Sequence, residues 1–349
     1  MNLSFWQGKR VFLTGHSGFK GGWLTLWLHK LGAEVTGVSL APNTTPNLFT
    51  LANVENCCRS HFVDIRDVDC LKKIVWQARP EIVFHLAAQP LVRSSYRLPV
   101  ETFATNVMGT VHVLDALRSL ESVRVAVMVT TDKVYRNHEW HWPYREDDEL
   151  GGHDPYSASK AASEIIIDSY RKSFLTERGI SIASVRAGNV IGGGDWSEDR
   201  LIPDAMRAWK INQILNIRCP QAIRPWQHVL EPLAGYLTLA QKLWEQPALA
   251  GAYNFGPESG DVATVREVIE LSRDAYGAGS VCFADSNEGF HEAGCLALEI
   301  AKARKVIGFK PRWKLRDAVI RTIAWYRAQE GIDASELCAA DILAYEAGL

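Results

Sequence analysis

Apolar residues in the first half of the chain come in short unbroken runs, separated by longer stretches with helical spacing. Residues 10–14, RVFLT, form the first run, and its lack of polar alternation predicts a parallel strand covered on both faces. GHSGFKGG follows, and then WLTLWLHKLGA, whose apolar positions fit a helix closed by Gly32. Further strands are expected at Glu34–Ser39, 60–63, 81–86 (EIVFHL), 124–130 (RVAVMVT) and 180–187. A helix is expected over 68–78, and one long helix or two shorter ones over 97–119. DPYSASKAASEIIIDSYRKSF reads as another helix, with Asp154 as its cap and Pro155 at its first position. Six strands alternating with helices predict an α/β fold on a doubly wound parallel sheet. From Gly188 the alternation becomes irregular, and HVLEPLAGYLTLAQKLWE is the clearest helix there. We expect one domain over 1–187 and a smaller C-terminal α/β domain over 188–349, packed tightly because no repeat or low-complexity linker divides them.

Composition narrows the class. The chain has 349 residues, 47% of them hydrophobic, enough for a sizeable core, and a formal net charge of −2 with no basic run. Nucleic acid and anionic membrane surfaces are therefore not expected partners. No uncharged apolar stretch is long enough to span a bilayer, and the N-terminus lacks the pattern of a secretory leader, so a cytoplasmic protein is expected. Seven cysteines, an odd number with no C-x-x-C spacing, predict free thiols rather than disulfides or a zinc site, and no metal is expected.

Gly15, Gly18 and Gly21 stand between a strand and a helix, the context in which a glycine turn cradles a dinucleotide pyrophosphate. The turn must be tight at Gly15, approachable at Gly18 and closely packed at Gly21, which makes the sheet Rossmann-type and residues 1–187 the dinucleotide-binding domain. The ribose-binding acid expected about 20 residues further on is missing from positions 38–42, and no arginine replaces it. Ser39 and Asn43 are the candidates to meet the ribose, and the choice between NAD and NADP is weakly specified. His16, Phe19 and Lys20 lie inside the turn; Lys20 is either solvated or in contact with a cofactor phosphate. Asp64 and Ile65 stand where the adenine edge is met, and Leu86, Ala87 and Ala88 where a nicotinamide ribose approaches. His85, on a buried strand, reads as a core histidine.

The densest chemistry runs from Thr130 to Lys160. Thr131, Asp132 and Lys133 follow the fifth strand, at the sheet edge where ligands bind, while Tyr156 and Lys160 share a helix face at i and i+4. GHSGFKG, HLAAQ, TTDKVY and YSASK together resemble the extended short-chain dehydrogenase/reductases over essentially the whole chain. TGHSGFKGGWL, AAQPLVRSSY, TTDKVY, RAGNVIGGGDW and RPWQHVLEP look like the nucleotide-sugar dehydratase branch, in particular the CDP-glucose 4,6-dehydratases of deoxysugar and O-antigen synthesis.

That resemblance implies NAD as cofactor, CDP-glucose as substrate, residues 188–349 as the nucleotide-sugar domain, and a homodimer or homotetramer built through the helices at 97–119 and 155–178. Tyr156 would take the C4 hydroxyl proton, helped by Lys160 and by Thr131 on the same oxygen. A free phenol has a pKa of about 10, so a fall of about three units would need roughly 4 kcal/mol of differential stabilisation. Asp132 would protonate the departing C6 hydroxyl. Lys133 would remove the C5 proton or stabilise the C4–C5 enolate. Related dehydratases carry Asp-Glu where this chain has Asp-Lys, which puts the protonation states of the pair in question. For the substrate, the resemblance points to Asn189, Arg224, Gln89, Arg93 and Asn106, with His291 and Glu292 either at the nucleotide ribose or in a surface loop. Asp147, Asp148 and Glu149 are expected on a solvated loop edge. Another nucleotide-sugar 4,6-dehydratase, a 4-epimerase or a non-catalytic redox sensor are the competing expectations.

Overall fold

The computed structural model describes residues 2–258, 260–284 and 294–348. Its centre is a parallel sheet whose strands, in chain order, are β1 (Arg10–Thr14), β2 (Glu34–Ser39), β3 (Arg59–Phe62), β4 (Ile82–His85), β5 (Val125–Val129) and β6 (Ser181–Ala187). Every residue of β4, β5 and β6 is buried, as double-sided cover requires. Alternate side chains feed two cores. Val11, Leu13, Phe84 and Val127 pack under Trp6, Trp23 and Trp27, whereas Phe12, Val83, Ala126 and Met128 pack under Leu71, Val113 and Leu117 on the other face.

The helices between the strands lie close to their expected bounds: α1 is Phe19–Lys30, α2 is Val68–Ala78, and α3, Gly109–Leu117, continues Pro99–Phe103 through one π-helical turn at Ala104–Met108. The stretch 97–119 is thus nearly one helix, with a bulge of the kind often found at functional sites. Helix α4, Pro155–Tyr170, starts as expected: Asp154 accepts from the Ser157 amide at 2.9 Å and Pro155 needs no donor in the first turn.

The sheet does not end at residue 187, where the sequence placed a boundary. Helix α5 (Leu230–Glu245) packs on β5 and β6, and β7 (Gly251–Phe255) pairs in parallel with β6 from Gly251↔Ala183 to Phe255↔Ala187. With β7 counted, the strand order is β7-β6-β5-β4-β1-β2-β3. The remainder of 188–284 holds the helices Leu201–Lys210 and Val265–Tyr276 and small two-stranded sheets, including Ile214–Ile217 against Ser280–Phe283. Thr14 is level with both Val38 and His85, and Val129 with Val185, so the segments after β1, β4 and β5 emerge along one edge. Between β1 and β4 the strand order reverses, which opens a crevice there.

Candidate active site

Three glycines shape one end of the crevice. Gly15 has φ of +83°, and a Cβ there would sit 2.8 Å from the Ala87 amide nitrogen. A Cβ on Gly21 would come within 1.9 Å of the Gly15 carbonyl oxygen, so no side chain fits either position. Gly18 begins α1 with no side chain capping the helix, and the first turn has no acidic residue. Its amides are left for an anion, favoured by the helix dipole. This is a cradle suited to a dinucleotide pyrophosphate.

From it a cleft of about 1430 Å³ runs between Ser39 and Asn43 at one end and Asn189 and Arg224 at the other. That exceeds the ~300–1,000 Å³ typical of a single drug-sized ligand and suits two large ligands end to end. Gly15, Gly18, Phe19, Lys20, Gly21, Asp64, Ile65, Leu86, Ala87 and Ala88 line it, as do Thr131, Asp132, Lys133, Tyr156, Lys160, Gln89 and Arg93.

Two expected site residues lie elsewhere. His16 is fully buried behind the turn, its Nε2 2.7 Å from the Ser60 hydroxyl and its ring stacked on Phe62. Gly37 has no side chain because a Cβ there would sit 2.4 Å from that ring. His16 therefore props the turn from inside. Asn106, at the π-helical turn, is also buried: its Oδ1 accepts from the Gln89 amide at 2.8 Å, and its Nδ2 donates to the Gln89 carbonyl and the Ser159 hydroxyl. It fastens Gln89 to α4 and leaves no group for a ligand. His291 and Glu292 lie outside the described residues.

The reacting end is built on the turn after β5. Thr131 Oγ1 donates to Asp132 Oδ1 at 2.9 Å, Lys133 Nζ reaches the same oxygen at 3.3 Å, and Asp132 Oδ2 is buried with no partner. Gly188 leaves room for that oxygen, since a Cβ there would approach it to 2.8 Å. Against the same turn, Lys160 Nζ on α4 donates to the Val129 carbonyl at 3.2 Å. Burial pushes the Tyr156 phenol above its ordinary range, opposed by the Thr131 side chain and the Arg200 guanidinium and reinforced by Asp132 and Asp154. Burial also lowers Lys160 to about 8, against which Glu164 works. Lys20 falls to about 8 as well, first from burial and then from Arg200, with Asp132 opposing and Lys160 and Lys133 adding to the fall. Around Lys20, Asp132 thus stands among Lys133, Lys160 and Arg200.

The sequence reading missed the segment 198–200 and Arg218. Asp199 bridges Arg93 at 3.2 Å and Arg218 at 4.0 Å, and Arg200 donates to the Pro90 carbonyl at 3.3 Å, all along the cleft wall. The only signal was a crowd of charges after GGGDW, which carries no periodicity. Among the expected binders, Asn189 Oδ1 is buried without a partner, and Arg224 is nearly buried with Nη1 on its neighbour's carbonyl. Glu149 is exposed and paired with Arg136.

Comparison with known proteins places this geometry. A family model described as GDP-mannose 4,6 dehydratase matches residues 12–322. The chain is 47% identical over 334 residues to a CDP-glucose 4,6-dehydratase of Salmonella typhimurium, covering 94% of this chain and 93% of that protein. It is 29% identical over 333 residues to a dTDP-glucose 4,6-dehydratase of Streptomyces antibioticus, covering 91% and 92%. A UDP-glucose 4-epimerase of Thermotoga maritima, solved with UDP-glucose, shares the fold with a TM-score of 0.80 at 20% identity, over 92% of this chain and 99% of that one.

Proposed function

Since the chain belongs to the GDP-mannose 4,6-dehydratase family, we propose that it is an NAD-dependent lyase that converts CDP-glucose to CDP-4-dehydro-6-deoxyglucose. The observation that carries the reading is Asp132, a buried carboxylate on the cleft wall with one oxygen unpartnered, beside Lys133 and close to Tyr156. A 4-epimerase needs the tyrosine and the cofactor, but has no use for an acid poised to expel a hydroxyl.

In this proposal the glycine cradle and the open amides of α1 hold the cofactor diphosphate, while Ser39 and Asn43 stand at its ribose. NAD held there would supply the hydride acceptor for C4 of the sugar and the hydride donor for C6. Tyr156 receives the C4 hydroxyl proton. Lys160 supports the Tyr156 phenolate that precedes this transfer, which must offset the upward push of burial on the phenol, and Thr131 hydrogen-bonds the C4 oxygen. The resulting ketone acidifies C5, whose proton passes to the Lys133 amine, and the ammonium so formed stabilises the C4–C5 enolate. Asp132 Oδ2 donates to the departing C6 hydroxyl, and the contact of Lys133 with Oδ1 lets the two groups share a proton. Arg224, Arg93 and Asn189 hold the nucleotide and its diphosphate.

We extend the proposal to a cytoplasmic enzyme that supplies deoxysugar and O-antigen synthesis, and to a homodimer or homotetramer. Exposed Val100, Phe103, Met108 and Ile165 on neighbouring helices support the assembly, and light scattering of the purified chain tests it.

A panel of CDP-, UDP-, dTDP- and GDP-glucose tests the function. We expect turnover of the CDP-sugar with no net reduced cofactor, a new C6 methyl by NMR and solvent deuterium at C5. Inversion at C4 without loss of water would overturn the reading in favour of an epimerase.

A further inference from the structure

Tyr156 and Lys160 are separated by one helical turn, and one turn further along the same face of α4 lies Glu164, which is 4% exposed. A carboxylate at that depth must be compensated. Its Oε1 accepts from Thr130 Oγ1 at 2.5 Å, and its Oε2 accepts from Ser184 Oγ at 2.7 Å and Arg186 Nη2 at 2.8 Å. Thr130 directly precedes Thr131, so one carboxylate ties the reacting turn after β5 to β6 and to the helix that carries Tyr156.

Arg186 is itself engaged at both terminal nitrogens, while its Nε is buried without a partner. Its Nη1 donates to the Tyr135 hydroxyl and the Glu146 carbonyl, and the Tyr135 hydroxyl donates to Asn254 Oδ1 on β7. The groups facing Lys160 are mostly unhelpful to its charge. Lys20 approaches from α1, Arg186 stands behind Glu164 on β6, and the turn after β5 sets Lys133 and Asp132 against Lys20. His85, on β4, is held neutral by its burial. Glu164 is the anion that works in favour of the Lys160 ammonium.

We propose that Glu164 is a positioning residue for C4 oxidation: through the Glu164–Arg186 pair and the Thr130 bond it holds Lys160 as an ammonium beside Tyr156 and fixes the register of the Thr131–Asp132 turn. The inference rests on the assignment of C4 oxidation to Tyr156 and Lys160. It adds that the charge state of that pair is set from outside the cleft, by a residue that touches neither sugar nor cofactor.

Glu164→Gln tests this, since it keeps an oxygen acceptor and removes the charge. The carboxamide removes the anion that works in favour of the Lys160 ammonium and with it of the Tyr156 phenolate. We expect the single-turnover rate of cofactor reduction to fall about 10-fold at neutral pH, and the midpoint of its rise with pH to move up by about one unit, with KM little changed. In the ligand-free chain, an NMR titration of isotope-labelled lysine, with Lys160 assigned through Lys160→Met, should show Lys160 releasing its proton at lower pH. A purely structural role lowers the rate equally at every pH and leaves both midpoints in place. Because an unpaired Arg186 endangers folding, Glu164→Gln with Arg186→Met serves as the second variant, with midpoints between those of the single variant and the parent. Unmoved midpoints in the double variant overturn the proposal. Tyr156→Phe separates the two ideas: a fully active Tyr156→Phe chain refutes the assignment of the base, whereas an inactive one with unmoved Glu164 midpoints refutes only the role of Glu164.

Discussion

Asp132→Asn is the substitution that most directly separates dehydration from hydride chemistry. The side chain keeps its shape, and the new amide oxygen still accepts from Thr131 Oγ1, now at 2.9 Å from Asp132 Oδ1. The ion pair with Lys133 at 3.3 Å is lost, but Lys133 is about a third exposed, so the loss costs no more than about 1 kcal/mol of stability. Asp132 Oδ2 already lacks a partner, and an amide in its place is no worse satisfied. The chain should therefore fold. What disappears is the proton for the C6 hydroxyl, and a positioned general acid contributes roughly 10²–10⁴ in rate, or about 3–5 kcal/mol of barrier. A single turnover with CDP-glucose should show normal reduction of the cofactor, followed by a reduced species that persists because the next step is stalled. The C6 methyl, followed by NMR, should appear at least 100-fold more slowly. Dehydration at the parent rate, or a loss of cofactor reduction equal to the loss of dehydration, would refute the assignment.

Other consequences are as direct. Gly21→Ala drives a methyl to within 1.9 Å of the Gly15 carbonyl, so the turn must open; dinucleotide binding by calorimetry should be lost while far-UV circular dichroism stays near the parent. Asn106→Ala leaves the half-buried Gln89 amide and carbonyl without their partner, and chemical denaturation should show a loss of about 1 kcal/mol. The pH dependence follows from three buried histidines, His16 lowered to about 4 and His85 and His228 to about 3, each chiefly by burial. Each is neutral when folded and protonates first in the unfolded chain, so their stabilising contribution is complete above about pH 6.5 and is lost as pH falls toward the folded values. Melting temperature should drop steadily below pH 6.5, and His228→Phe should flatten that slope; an unchanged slope would argue against a neutral buried His228.

Most of the six strands were legible as short runs rich in apolar residues, though β3, Arg59–Phe62, is largely polar, and the observed bounds of all six fall within a residue or two of the expected ones. GAYNF, the seventh, is as buried as most of them but begins at Gly251, and nothing local announces that it returns to β6. The glycine turn was legible because steric demand there falls on the glycines themselves. Tyr156 and Lys160 were readable from helix periodicity and Asp132 from its place after a strand. Asn106 and His16 misled because a polar side chain has the same letter whether it meets a ligand or a buried backbone group. For both, the deciding partners, Gln89 and Ser159 for one and Ser60 for the other, are distant in sequence or lie on another strand. Arg200 and Arg218 reach the cleft from irregular loops whose course is set by tertiary packing alone.

The return of Gly251–Phe255 to the sheet also sets a schedule for biosynthesis. Until those residues leave the ribosome, β6 has an open flank of unpaired amides and carbonyls, although its own segment and the whole glycine turn have already emerged. A nascent chain stopped anywhere between residues 190 and 250 would expose that flank and the apolar face that Leu230–Glu245 later covers. The stretch that supplies Asn189, Arg200 and Arg224 to the cleft thus emerges before the sheet it stands on is complete.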